Sequence, residues 1–183
     1  MNEILRQLSG GDLRSEGQAE AVAAQIINRP QLLSDLAAGL DSESKLIRAR
    51  TCMAMEVVSR QRPDLLADVL EQLIGLSAAD TVPQVRWHVA QIFGNMALTA
   101  KDAERIIPTL LGYLGDKSKI VKYCAVQTLG GLGRTSPSKA QIIDRISALR
   151  DESKGMARAV TQALQELGET PSEQEPTKPS CSA

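Results

Sequence analysis

The stretch DKSKIVKYCAVQTLGGLG, Asp116–Gly133, decides the fold because the chain repeats it. DTVPQVRWHVAQIFGNMA begins 36 residues earlier at Asp80, and DESKGMARAVTQALQELG begins 35 residues later at Asp151. Each copy has an acid, a short polar link, an apolar residue and then a helical apolar stripe. A fourth copy, DSESKLIRARTCMAMEVVS from Asp41, carries one extra residue in the link. A fixed period of about 20 to 50 residues marks a stacked solenoid, whose units cannot bury their apolar sides alone.

Within each copy the apolar residues fall at spacing 0, 4, 8, 11, one stripe of an α-helix. Val85, Val89, Phe93 and Met96 form it in one copy, and Val121, Ala125, Leu129 and Leu132 in the next. Met156, Val160, Leu164 and Leu167 repeat it; Ile47, Thr51, Met55 and Val58 do so with one polar member. These are second, or B, helices. A first, or A, helix precedes each, through Leu32–Leu40, Leu66–Ile74, Ile106–Leu114 and Ile142–Leu149. Pro63 and Pro137 mark A-helix entries and Pro83 a B-helix start, since proline costs little in a first turn. Pro108 lies inside an A helix and is expected to kink it. Ile4, Leu5 and Leu8, followed by Ala19–Ile27, form a weaker N-terminal pair that serves as a cap.

The run IIPTLLGYLGDKSKIVKYCAVQTLGGLG resembles the HEAT-repeat family: a leucine-rich first helix with an internal proline, an aspartate in the turn, then valine and a basic residue opening the second helix. The resemblance spans about residues 31–168. It implies an all-α, right-handed solenoid of antiparallel helix pairs, about four full repeats plus the degenerate N-terminal cap, in one domain over 1–168. The remaining segment, 169–183, is rich in Pro, Ser, Glu and Thr and is expected to be a disordered tail. The resemblance also assigns a structural ladder, in which a turn aspartate and a helix-start base tie each repeat to the next. Its members are Asp41 with Arg48, Asp80 with Arg86, Asp116 with Lys122, and Asp151 with Arg158. Gly133 and Gly168 are expected to end their helices in left-handed caps, and Gly130 to permit close approach of the next repeat.

Once the buried stripe is removed, the B helices leave rows for the concave side. Trp87 and Tyr123 fall at one equivalent position and are expected to be a pair of aromatic anchors. Arg50, His88 and Cys124 follow one residue later. Met53, Gln91, Gln127 and Gln162 form a third row, whose amides can pair with the backbone of an extended peptide. The plain alternative is that the rings shield neighbouring helices and that glutamine is simply a good exposed helix former. His88 with Cys124 makes a weak case for an activated thiolate, because no acid in the rows orients the imidazole.

Composition narrows the function. A formal net charge of −1 gives no electrostatic footprint for nucleic acid. Three cysteines without a C-x-x-C pair point to neither a disulfide framework nor zinc, and favour a reducing cytoplasm. No apolar run is long enough to span a membrane. The expected function is therefore a non-enzymatic scaffold that binds another protein or an extended peptide, without cofactor, metal, nucleic acid or membrane. Self-association through Leu164 and Leu167 of the last repeat is a further mode. Resemblance to HEAT-like proteins also admits a bilin-lyase type of chromophore handling, or a glycosylase for alkylated DNA bases.

Overall fold

Residues 1–169 are described by the structure, a computed structural model. The tail expected over 169–183 lies, from residue 170 on, outside the described residues. Five helix pairs follow one another. They are α1 (Glu3–Gln7) with α2 (Ala19–Asn28), α3 (Leu33–Ala37) with α4 (Lys45–Gln61), α5 (Leu70–Ala79) with α6 (Pro83–Asn95), α7 (Ala100–Tyr113) with α8 (Lys119–Leu132), and α9 (Lys139–Ser147) with α10 (Lys154–Glu166). The second helices pack in strict succession, α2 on α4, α4 on α6, α6 on α8 and α8 on α10. This is an all-α solenoid of repeated helix pairs.

Local chemistry sets the helix starts. Ser44, Ser118 and Ser153 stand three residues before the first stripe residue and accept the amides of Ile47, Val121 and Met156. Each satisfies one of the free N–H groups of a first turn. In α6 the equivalent position is Val82, and Pro83 opens the helix instead; a proline there has no N–H to satisfy. Thr99 caps α7 and accepts from the Asp102 amide at 3.1 Å.

The stripe is the core. Val85, Val89, Phe93, Val121, Ala125, Leu129 and Val160 are wholly buried, and Met96 and Leu132 at the helix ends are half-buried. Thr51, the polar member, is buried too, and its hydroxyl has no hydrogen-bond partner. Leu164 and Leu167 are 7% and 1% exposed, so these two side chains present little apolar surface for the self-association expected of them.

Two first helices are not the single runs that the sequence suggests. Tight three-residue-per-turn segments, Pro30–Leu32 and Pro63–Val69, precede α3 and α5. α7 continues through Pro108. Gly168 has φ +82 and ends α10 as a left-handed residue. Gly133 does not: its φ is −76 and the chain runs on into a tight turn over Gly133–Thr135. No described helix is long and apolar enough to cross a membrane.

Close stacking explains Gly130. A Cβ built there would lie 2.8 Å from the Ala163 Cα of α10, whereas one at Gly75, in α5, meets nothing within 4 Å. We expect Gly130→Ala to destabilise by about 1–3 kcal/mol through overpacking. Gly75→Ala should stabilise by about 0.5–1 kcal/mol, the ordinary helix gain. Urea unfolding of both variants checks the opposite signs.

Candidate functional site

The turns place their charges between repeats, not within them. Arg48 Nε donates to Asp80 Oδ2 of the following repeat at 2.6 Å, and Arg86 meets Asp116 at 3.0 Å. Lys122 donates to Glu152 at 2.6 Å. The aspartate side chains are nearly sealed, 2% exposed for Asp80 and 6% for Asp116. Their second oxygens accept backbone amides, from Val82 at 2.8 Å and Ser118 at 2.7 Å. A buried carboxylate needs both kinds of partner. The pairings drawn within each repeat are thus corrected by one step. Asp41, with no repeat of this type before it, accepts only from Gln72 Nε2 at 3.2 Å. Asp151 and Arg158 are exposed and make no ion pair among the described residues; Glu152, one residue on, reaches Lys122 instead.

Arg50 borders the hollow beside Met53 and Trp87 but is sealed into its wall. It is 3% exposed, and its guanidinium donates to the carbonyls of Leu8, Gly10, Asp12 and Ser15 at 2.9, 2.6, 3.1 and 3.2 Å. The α1–α2 loop folds around it, with Gly10, Gly11 and Gly17 at positive φ. A Cβ at Gly17 would come within 2.8 Å of the guanidinium carbon. A cation enclosed by backbone carbonyls replaces the salt bridge that burial would otherwise demand.

The remaining residues of these rows divide into two strips. Toward the N-terminal ends of the second helices lie two hollows. One, of about 340 Å³, is lined by Leu13 of the α1–α2 loop, Met53, Trp87 and His88. The other, of about 250 Å³, is lined by Ile120, Tyr123 and Met156. Trp87 and Tyr123 therefore line separate hollows. Trp87 is half-buried against the core, with its ring 5.4 Å from that of His88. Tyr123 is 39% exposed.

Toward the C-terminal ends runs a polar groove of about 540 Å³, from Glu56 and Arg60 of α4 past Gln91 and Asn95 to Gln127 and then Glu166 of α10. Its floor is tied across repeats. Asn95 donates to the Ser59 hydroxyl at 2.9 Å, and the Thr128 hydroxyl to the Ala90 carbonyl at 2.8 Å. Gln127 reaches the Tyr123 hydroxyl at 3.4 Å, whereas Gln162 is exposed and donates to Glu166 at 3.0 Å. Gln91 and Gln127 thus share the groove; Gln162 stands outside it. Glu56, Arg60, Asn95 and Glu166 were not singled out from the sequence. The Glu56–Arg60 spacing of four on a helix was the visible signal.

His88 and Cys124 lie in different strips. Burial, with a smaller effect of Arg60, lowers the His88 pKa to about 4. Burial and then the Glu56 carboxylate raise the Cys124 thiol to about 11. An activated thiolate needs the reverse shift. Among the described residues no cluster of three or more His, Cys, Asp or Glu side chains suits a metal ion.

No protein-family model and no curated protein matches the chain. Solved structures do. A designed armadillo repeat protein is 16% identical with a TM-score of 0.66, covering 92% of this chain and 83% of its own. Computationally designed armadillo repeat proteins for modular peptide recognition are 18% identical with a TM-score of 0.63, over 90% and 80%. The fold is a helical repeat solenoid of that kind.

Two outcomes follow from the site. Arg50→Met should cost about 2–4 kcal/mol, because the caging carbonyls lose their donor; amide exchange of residues 8–18 should quicken well beyond that of α6. His88 binds its proton in the unfolded chain near pH 6.5 and in the folded chain only near pH 4. Between those values the unfolded state holds more protons, so stability falls as pH drops through this window. Chemical denaturation across pH 7 to 4 should show a shallower fall in His88→Gln.

Proposed function

We propose that this protein is a non-enzymatic scaffold that binds an extended segment of another protein along the polar groove. The observation that carries this is the groove's build: the side-chain amides of Gln91 and Gln127 on successive helices, of which only Gln127 makes a side-chain hydrogen bond, a long one to Tyr123, above a floor fixed by Asn95–Ser59 and Thr128–Ala90. An extended peptide exposes backbone donors and acceptors at regular rise, and a row of side-chain amides offers both in return. A rigid floor lowers the ordering cost of binding. That one structural neighbour was made for modular peptide recognition agrees with this use of the fold.

The raised thiol pKa of Cys124 supports a reading without an activated thiolate, since the group is held in its protonated form. The repeat type is best described as mixed. Two-helix units like those of HEAT proteins close the chain, and units with a split first helix, nearer to the three-helix armadillo plan, precede them.

A random-peptide display library selected on the full chain tests the proposal. We expect enrichment of peptides with dissociation constants near the micromolar range, and a loss of about tenfold or more for Gln91→Ala/Gln127→Ala. The melting temperature should move by less than about 4 °C, as for other surface changes. Failure to enrich any peptide above an unrelated helical protein, or equal binding by the variant, overturns it.

A further inference from the structure

The polar groove carries charge of opposite sign at its two ends. At α4, Glu56 has a side chain only 4% exposed and binds Arg60 through both oxygens, accepting from Nε at 2.6 Å and from the second guanidinium nitrogen at 2.8 Å. Arg60 itself is 60% exposed. The buried carboxylate therefore aims the guanidinium and fixes its plane, while the outer N–H groups remain free at the groove rim. Arginine presents five donors in a rigid fork, and this pairing uses two.

At the other end stands Glu166 of α10. Its side chain lies over α8: Oε2 is 2.8 Å from where a Cβ at Gly130 would be. Only glycine leaves that space. Glu166 accepts one hydrogen bond, from Gln162 through Oε1, and lines the groove with Oε2 free of any hydrogen bond among the described residues. Glu56, Arg60 and Glu166 are the charged residues of the lining, so no other charge blurs this arrangement.

We propose that the groove selects an extended peptide segment carrying an acidic side chain over α4 and a basic one over α8, which deepens the peptide-scaffold proposal and rests on it. The spacing follows from the stack. Neighbouring packed helices lie about 8–10 Å apart, so α4 to α8 spans about 16–20 Å. An extended chain rises about 3.3 Å per residue, which sets the acid and the base about five or six residues apart. The acid meets the outer N–H groups of Arg60, and the base meets Glu166. Gln91, Asn95 and Gln127 lie between these ends and serve the intervening backbone. Because like charges at either end would meet repulsion, the groove discriminates by sign as well as by shape.

Fluorescence polarisation with five labelled ten-residue peptide pools of fixed Ser/Thr/Val filler tests this on the full chain. Two charged positions five apart carry Glu then Lys, Lys then Glu, Glu twice, Lys twice, or Ser twice. One of the two mixed orders should bind about two- to fivefold more tightly than either like-charged pool, the worth of exposed ion pairs, with the gap closing as NaCl rises. Glu166→Lys, an exposed change, should turn the preference toward the pool with Glu twice. Equal binding of all five pools overturns the charge selection and leaves the peptide scaffold standing. No binding by any pool overturns both. A preference that Glu166→Lys does not move overturns the assignment of the base to α8.

Discussion

Everything in this chain depends on second helices lying on one another closely enough to share a dry seam. No single helix pair has enough apolar surface to bury itself; the stripe of α6 is covered only because α4 and α8 flank it. The approach is so tight that small residues decide it. Gly130 leaves no room for a methyl group against Ala163, and Gly94 lies close to the Thr128 hydroxyl. Once the seam is set, every side chain beyond it inherits a row.

Each end of the seam is locked by a different chemistry. At the turns, Arg48–Asp80 and Arg86–Asp116 join successive repeats with carboxylates removed from water. Removing either arginine would strand a buried carboxylate, so each pair ties its repeat to the next. Toward the last repeat the link passes to Lys122 and Glu152, whose acid is 35% exposed. At the opposite helix ends neutral ties, Asn95–Ser59 and Thr128–Ala90, hold the same neighbours. Ion pairs at one end and hydroxyl or amide bonds at the other stop adjacent helices from pivoting.

The repeat period, the buried stripe and the use of Gly130 were legible in the sequence because they depend on neighbours at helical spacing. The Arg86 and Asp116 residue types were legible too. Their cross-repeat pairing was not, because it depends on the offset between stacked units, which a period alone does not give. Arg50 was misplaced for a related reason. Its row position equals that of His88 and Cys124, but the α1–α2 loop, whose Gly10, Gly11 and Gly17 permit the wrap, closes over it. The polar groove escaped notice because half of it comes from the last turns of the helices, where the stripe reading stops. Trp87 and Tyr123 share a row, yet the hollow beside each is finished by different elements, Leu13 of the loop for one and Met156 of α10 for the other.

Two arginines on α4 show how that loop shapes the surface. Arg50, in the second turn of the helix, is enclosed by carbonyls, and the loop that supplies them lines the hollow beside Met53 and Trp87. Arg60, near the end of the same helix, is held by a single buried acid and faces solvent. The C-terminal strip therefore stays open across α4, α6, α8 and α10. Three helix spacings of about 8–10 Å give that strip a run of about 24–30 Å, the length of about eight extended residues. The cage around Arg50 thus does more than fix the first repeat. The loop it anchors walls the N-terminal strip at α4, whereas the polar groove runs from Arg60 of α4 to Glu166 of α10.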